Sequence, residues 1–69
     1  MKNCTTMIDG YEIELAVDGD EHACWISLGM ASTTLAWFQA FPGQDGMAPE
    51  TLKRIEAWAA EQGYGQEPT

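Results

Sequence analysis

Asp9-Gly10-Tyr11-Glu12-Ile13-Glu14-Leu15-Ala16-Val17-Asp18-Gly19-Asp20-Glu21 decides the fold of this 69-residue chain. Tyr11, Ile13, Leu15 and Val17 alternate with Glu12, Glu14 and Ala16. Side chains on a strand point to opposite faces in turn, so this pattern predicts a central strand with one apolar and one acidic face. Six of the thirteen residues are acidic and none is basic. An Asp-Gly pair stands near each end, where the chain must reverse.

Working outward, Asn3 to Ile8 favours β-structure, with a strand expected over residues 4–8, and ends at Asp9-Gly10. Asp-Gly between β-formers predicts a hairpin with a two-residue type I′ turn. That turn sets Ile8 opposite Tyr11, Thr6 opposite Ile13 and Cys4 opposite Leu15. Downstream, a loop from Asp18 to Glu21 leads into a strand over residues 22–28, His-Ala-Cys-Trp-Ile-Ser-Leu. A four-residue loop pairs Val17 with His22, Leu15 with Cys24, Ile13 with Ile26 and Tyr11 with Leu28. The opposite face then carries Glu12, Glu14 and Ala16 beside Ser27, Trp25 and Ala23. A one-residue slip would mix the two faces, which favours this register.

Gly29 to Ser32 is expected to turn, and residues 33–41 to form a fourth strand. Apolar content alone allows strand or helix there. Thr, Trp and Phe favour the strand, with Leu35, Trp37, Gln39 and Phe41 on one face and Ala36, Phe38 and Ala40 on the other. Residues 42–46 compose a loop. A helix is expected over 49–62, with Pro49 suited to its first position and Glu50 near the positive end of its dipole. Ala48 is a poor N-cap. Leu52, Ile55 and Ala59 form the inward stripe, flanked by Trp58. Gly63 stops the helix, and residues 64–69 are expected to fray. The predicted fold is α+β: a single small domain with an antiparallel meander of three to four strands and one C-terminal helix packed on one face.

A chain of this length buries only roughly 60% of its unfolded surface, so the core is one thin layer. The seven aromatic residues supply the large apolar areas that could make such a core sufficient. The formal charge is −8, with Lys2, Lys53 and Arg54 the only cations. Phosphate contacts need clustered Lys and Arg, so direct nucleic-acid binding is disfavoured, as is docking on an anionic membrane. Acidity instead suits a basic protein partner drawn in by long-range attraction, or serves solubility alone. No apolar run near the N-terminus resembles a signal peptide, and no window approaches the ~20 apolar residues of a membrane helix. A cytoplasmic location is the expectation.

Cys4 and Cys24 would both sit opposite Leu15, one on each side of the central strand, with backbones roughly 9–10 Å apart. A disulfide requires Cα atoms within about 7 Å, so two reduced thiols are expected. Asp18, Asp20, Glu21 and His22 crowd one turn, but their spacing is not that of an EF-hand and no second His or Cys stands at ligand distance. Neither a metal nor a cofactor is expected. With one His, no nucleophile elbow and no phosphate-cradling loop, no enzyme activity is expected either.

The candidate site is the sheet face away from the helix. Glu12 and Glu14 would lie beside Trp25 and Phe38, with Asp18, Asp20 and Glu21 extending the acidic row. Trp is enriched among interface hot spots, and adjacent acids give direction and on-rate. The competing reading is that Met30 or the C-terminal tail covers Trp25 and Phe38.

In length, in the cluster Asp9, Glu12, Glu14, Asp18, Asp20 and Glu21, and in its hairpin-plus-helix layout, the chain resembles the small acidic anti-CRISPR proteins of bacteriophages and other mobile elements. These proteins share no common signature, so no residue role carries across. The resemblance implies a non-enzymatic inhibitor that occupies a basic DNA-binding surface of a CRISPR effector by DNA mimicry. A type I surveillance complex, including type I-C, is the first expectation, with the subunit that reads the motif beside the target sequence as one target. A monomer is expected over a dimer. Two alternatives stay open. One is an antitoxin or inhibitor of another basic nucleic-acid-binding protein. The other is a structural phage accessory protein that assembles through Trp25, Phe38 and Trp37.

Overall fold

In the computed structural model, which describes residues 2–65, β2 (Tyr11–Asp18) lies between β1 (Lys2–Ile8) and β3 (Glu21–Leu28). A short β4 (Ala31–Thr34) completes a four-stranded antiparallel sheet in the order β1-β2-β3-β4. Ile8 faces Tyr11, Thr6 faces Ile13 and Cys4 faces Leu15. Across the other side of β2, Ile13 faces Ile26, Leu15 faces Cys24 and Val17 faces His22. These are the pairings that the alternation of β2 requires. The β2–β3 ladder ends at Glu12–Ser27, one step short of Tyr11 and Leu28.

All three hairpins turn on two residues. Asp9 (φ 50°) and Gly10 (φ 88°) both take positive φ, as a type I′ turn demands, and Asp tolerates that region where most residues do not. At the second turn Asp18 and Glu21 are themselves paired, so the loop is Gly19-Asp20 rather than four residues long. Gly29-Met30 makes the third turn, and the expected turn over Gly29–Ser32 is two residues too long, because Ala31 and Ser32 pair with Leu28 and Ser27.

The larger correction concerns residues 33–41. The strand ends at Thr34, and α1 (Leu35–Ala40) follows. Thr34 sits in extended backbone and its Oγ1 accepts from the Trp37 amide at 3.2 Å, which caps the new helix. A helix of this phase carries both Leu35 and Phe38 into the core, at i and i+3, where a continued strand would send them to opposite faces. The single helix expected could not cover four strands. α1 lies against β3 and β4, while the second helix, α2 (Pro49–Glu61), lies against β1 and α1. Gln39 Nε2 donates to Glu56 Oε2 at 2.9 Å and braces the two helices at the surface.

Between the helices, a 3₁₀ turn at Gln44–Gly46 brings Met47 into the core at 3% exposure. α2 starts at Pro49 with no side-chain cap from Ala48. It buries Thr51, Ile55 and Ala59, an i, i+4, i+8 stripe, with Leu52 and Trp58 on its flanks. Tyr11, Ile13, Leu15, Cys24 and Ile26 from the sheet meet Leu35, Phe38, Met47, Ile55 and Ala59 from above. Each large apolar side chain so buried stabilises the fold by roughly 1.5–3 kcal/mol before entropy is counted.

The chain leaves α2 through a Schellman motif. Gly63 (φ 104°) donates to the Ala60 carbonyl at 3.0 Å and Tyr64 donates to the Ala59 carbonyl at 2.9 Å. Tyr64, the first residue of the tail expected to fray, is thus tied to the helix end by a hydrogen bond. Its side chain is half-buried against the core and beside the His22 ring, with centroids 6.0 Å apart. The Gly65 amide donates to His22 Nδ1 at 2.9 Å, which makes Nε2 the protonated nitrogen that donates to the Gly19 carbonyl at 3.1 Å. The remainder of the expected fraying tail, 66–69, lies outside the described residues. No helix among those residues is long and apolar enough to cross a membrane.

Candidate functional site: the open face of the sheet

Both helices cover the same side of the sheet, so the other side stands open. By strand alternation that side carries Asn3, Thr5 and Met7 from β1, Glu12, Glu14, Ala16 and Asp18 from β2, Glu21, Ala23, Trp25 and Ser27 from β3, and Ser32 and Thr34 from β4. Thr5, Glu14, Trp25 and Thr34 form one row across it, each directly opposite the next. Side chains so paired have Cβ atoms roughly 4.5–5.5 Å apart. The backbone therefore brings Glu14 and Trp25 to neighbouring positions on the open face.

Trp25 is 41% exposed. Among the described residues neither Met30 nor the start of the tail covers it: Met30 projects fully into solvent, and Tyr64 and Gly65 are engaged with His22 on the helix side. Phe38 is not part of this face. Expected to join Trp25 there, it is 3% exposed under α1, because residues 35–40 are helical and present it to the core.

Among the six acids of the opening stretch, the structure separates four settings. Glu12 and Glu14 are exposed on the open face, Asp18 and Glu21 close its end as a cross-strand pair, and Asp20 tips the turn beyond them. Asp9 is committed elsewhere. Its Oδ2 accepts from Thr51 Oγ1 at 2.7 Å and from Arg54 Nη1, which ties the β1–β2 turn to α2. The Thr51 hydrogen bond first, and the Arg54 guanidinium after it, hold the Asp9 carboxyl below the usual carboxylate range. This pairing also places a cation on the far side of the sheet. Lys53 and Arg54 both belong to α2, and Lys2 falls on the helix side of β1, opposite Val17. Among the described residues, the open face carries acids and no base.

Two shallow depressions flank Trp25. One, of about 360 Å³, is lined by Asn3, Cys4, Thr5, Glu14, Leu15, Ala16 and Trp25, and so extends onto the edge strand β1. The other, of about 250 Å³, is lined by Ala16, Asp18, Glu21, Ala23 and Trp25. Ala16 and Ala23 are opposite one another, and their small side chains leave Trp25 standing above its surroundings. Asn3 and Thr5 were not anticipated as site residues. The same Asp9-Gly10 turn that aligns Cys4 with Leu15 also sets Thr5 opposite Glu14, so the signal was present in the register.

The thiols offer no reactive alternative. Cys24 is buried, and burial, with Cys4 adding to it, pushes its thiol up to about 11, so it is neutral at physiological pH. Cys4 is half-buried across β2 and donates a long bond of 3.8 Å to Gln62 Oε1. Both cysteines are free. No three His, Cys, Asp or Glu side chains among the described residues converge as a metal site would require.

What the face offers is a surface for contact: an apolar anchor, acids arrayed at strand spacing and, among the described residues, no competing cations. Comparison with protein-family models, curated proteins and solved structures returned no match for this chain.

Proposed function

We propose that this protein is a binding inhibitor that acts in the host cytoplasm by docking its open sheet face on a basic, nucleic-acid-binding protein surface. The observation that carries the reading is the one-sided distribution of charge, with Glu12, Glu14, Asp18 and Glu21 around an uncovered Trp25 and the cations on the helix side. Duplex DNA presents one charge per ~1.7 Å of axis to the Lys and Arg that bind it. Carboxylates at alternate strand positions recur every roughly 6.5–7 Å, close to a phosphate step along one strand, and so can satisfy the same cations. The resemblance to small acidic anti-CRISPR proteins makes the DNA-binding surface of a type I CRISPR effector the first target to assay.

The test is competition. The protein should displace duplex DNA from the effector, with affinity that falls steeply as salt rises. A variant carrying Glu12→Gln, Glu14→Gln, Asp18→Asn and Asp20→Asn should bind at least about tenfold more weakly, since each lost interfacial charge pair is worth a fraction of a kcal/mol to several kcal/mol. Undiminished inhibition by that variant would rule out mimicry.

One observation favours a second reading, self-association. Trp37 on α1 and Phe41 at its C-cap, with tilted rings whose centroids are 4.4 Å apart, are 41% and 50% exposed. Light scattering at high salt, where the repulsion between chains of charge −8 is screened, distinguishes the two. An apolar assembly persists there, whereas a salt-released complex with a basic partner does not.

A further inference from the structure

The open face is not uniformly acidic, and its most built feature is the pairing of Glu14 with Trp25. We infer that the depression between them is a seat for a single arginine side chain of the partner. This inference rests on the proposed docking of the open face. Four observations converge on it. Glu14 and Trp25 are direct cross-strand partners and line one depression, so their side chains start from neighbouring positions on two strands rather than on a loop. Trp25 is 41% exposed and rises beside Ala16, which gives a planar cation an aromatic wall to lie on. Asn3 and Thr5 also line the depression, with Cys4 and Leu15, and bring an amide oxygen and a hydroxyl. The depression, about 360 Å³, is lined in part by β1, an edge strand of the sheet, so an extended partner chain has an edge strand to lie beside.

The donor and acceptor count selects arginine. A guanidinium has five N–H donors in a fixed plane; a carboxylate takes two of them, and the others need acceptors around the rim. Glu14, Asn3 and Thr5 supply those acceptors while the Trp25 ring stacks on the plane. A lysine ammonium fills the same site as a point charge and leaves acceptors at the rim unused. At about 360 Å³ the depression is at the low end of ligand clefts, which run roughly 300–1,000 Å³, and it suits one side chain rather than a whole small molecule.

The probe is N-acetyl-arginine amide, titrated into isotope-labelled protein at matched ionic strength, with the neutral citrulline and the lysine analogues in parallel. Trp25→Phe assigns the Trp25 indole N–H signal. The arginine probe should shift that indole signal and the Thr5 and Glu14 amides. Citrulline should not, and lysine should bind more weakly than arginine. Glu14→Gln and Trp25→Leu should each weaken the arginine probe roughly two- to fivefold, the size of one exposed ion pair or cation–π contact. Equal shifts from citrulline, or shifts confined to the Asp18–Glu21 turn, would overturn the seat. The docking reading is separable. Loss of effector binding in the fourfold charge variant, with no arginine response at Trp25, sinks the seat and keeps the docking. A selective arginine response at Trp25 in a protein that fails to compete with DNA keeps the seat and sinks the docking.

Discussion

On β2, Ile13 is fully excluded from solvent on the side under the helices, and the next residue, Glu14, stands exposed on the other. The same contrast runs along β3, where Cys24 and Ile26 are 2% exposed and Trp25 between them is 41% exposed. One sheet therefore offers two surfaces under different physical rules. On the covered side a side chain is judged by volume and fit, because ten residues, nine from four elements and Met47 from the connection between the helices, share one thin core. On the open side it is judged by charge and reach. Stability is concentrated on one face, which leaves the other free of the demands of close packing.

The sharpest way to break that contrast is to truncate one large aromatic on each side. Phe38→Ala should cost about 3–5 kcal/mol, as Phe-to-Ala changes in cores do. A domain of this size has little more to lose and should be largely unfolded by urea or by heat. Trp25→Ala should cost about 1 kcal/mol or less, the scale of a cross-strand pair on an exposed face. Circular dichroism melts of the two variants make the comparison. If Phe38→Ala were as mild as Trp25→Ala, residues 35–40 would not be the helix that carries Phe38 into the core.

A smaller effect is expected at the rim where the two faces meet. Gly63 takes φ 104° to fold Tyr64 back toward His22 and seal the covered side. Gly63→Ala places a Cβ in a backbone region that disfavours it, at a cost of roughly 1–2 kcal/mol. No atom lies within 4 Å of where that Cβ would stand, so the penalty is conformational rather than steric crowding. The expected signature is a lower melting midpoint together with faster hydrogen exchange at the Tyr64 and Gly65 amides. Exchange at the β2–β3 ladder should quicken only through global unfolding.

How much of this was legible depended on whether local chemistry and tertiary need agreed. From residue 2 to 28 they did: period-two alternation, an Asp-Gly turn and a Gly-Asp turn each permit a single register, and Cys4, Leu15 and Cys24 fall in line as expected. From 29 to 48 they did not. Thr33 to Phe41 is rich in strand formers, yet four strands need more cover than the thirteen residues of α2 provide. The sheet recruits residues 35–40 as a second helix, and tertiary burial overrides propensity. The cue that outweighs composition is Thr34, a good N-cap placed just before Leu35 and Phe38 at helical spacing. The site inherited this split. Glu12, Glu14 and Trp25 followed from the register, whereas Phe38 depended on the misread segment. Met47 had no periodic context at all, and only the 3₁₀ turn before it brings it inward.

Asp9 gives the finest test of the contrast, because it is the one acid of the opening stretch that works for the covered side. Its carboxylate accepts from Thr51 and Arg54, and its ionised form is favoured in the folded state. A carboxyl whose folded pKa lies below its unfolded value of 3.8 adds stability above that value and loses it as pH falls through the folded pKa. Asp9→Asn keeps a residue that tolerates φ 50° at the type I′ turn and removes only the charge. The variant should therefore be less stable than the parent at pH 7. The two urea midpoints should draw together as pH is lowered through 3.8, and meet once the parent carboxyl is protonated in both states. A gap that stayed constant down to strongly acidic pH would mean that the turn is held to α2 by shape and neutral hydrogen bonding. Asp9 would then belong with the uncharged groups of the covered face, and every acid of the stretch that acts through its charge would lie on the open side.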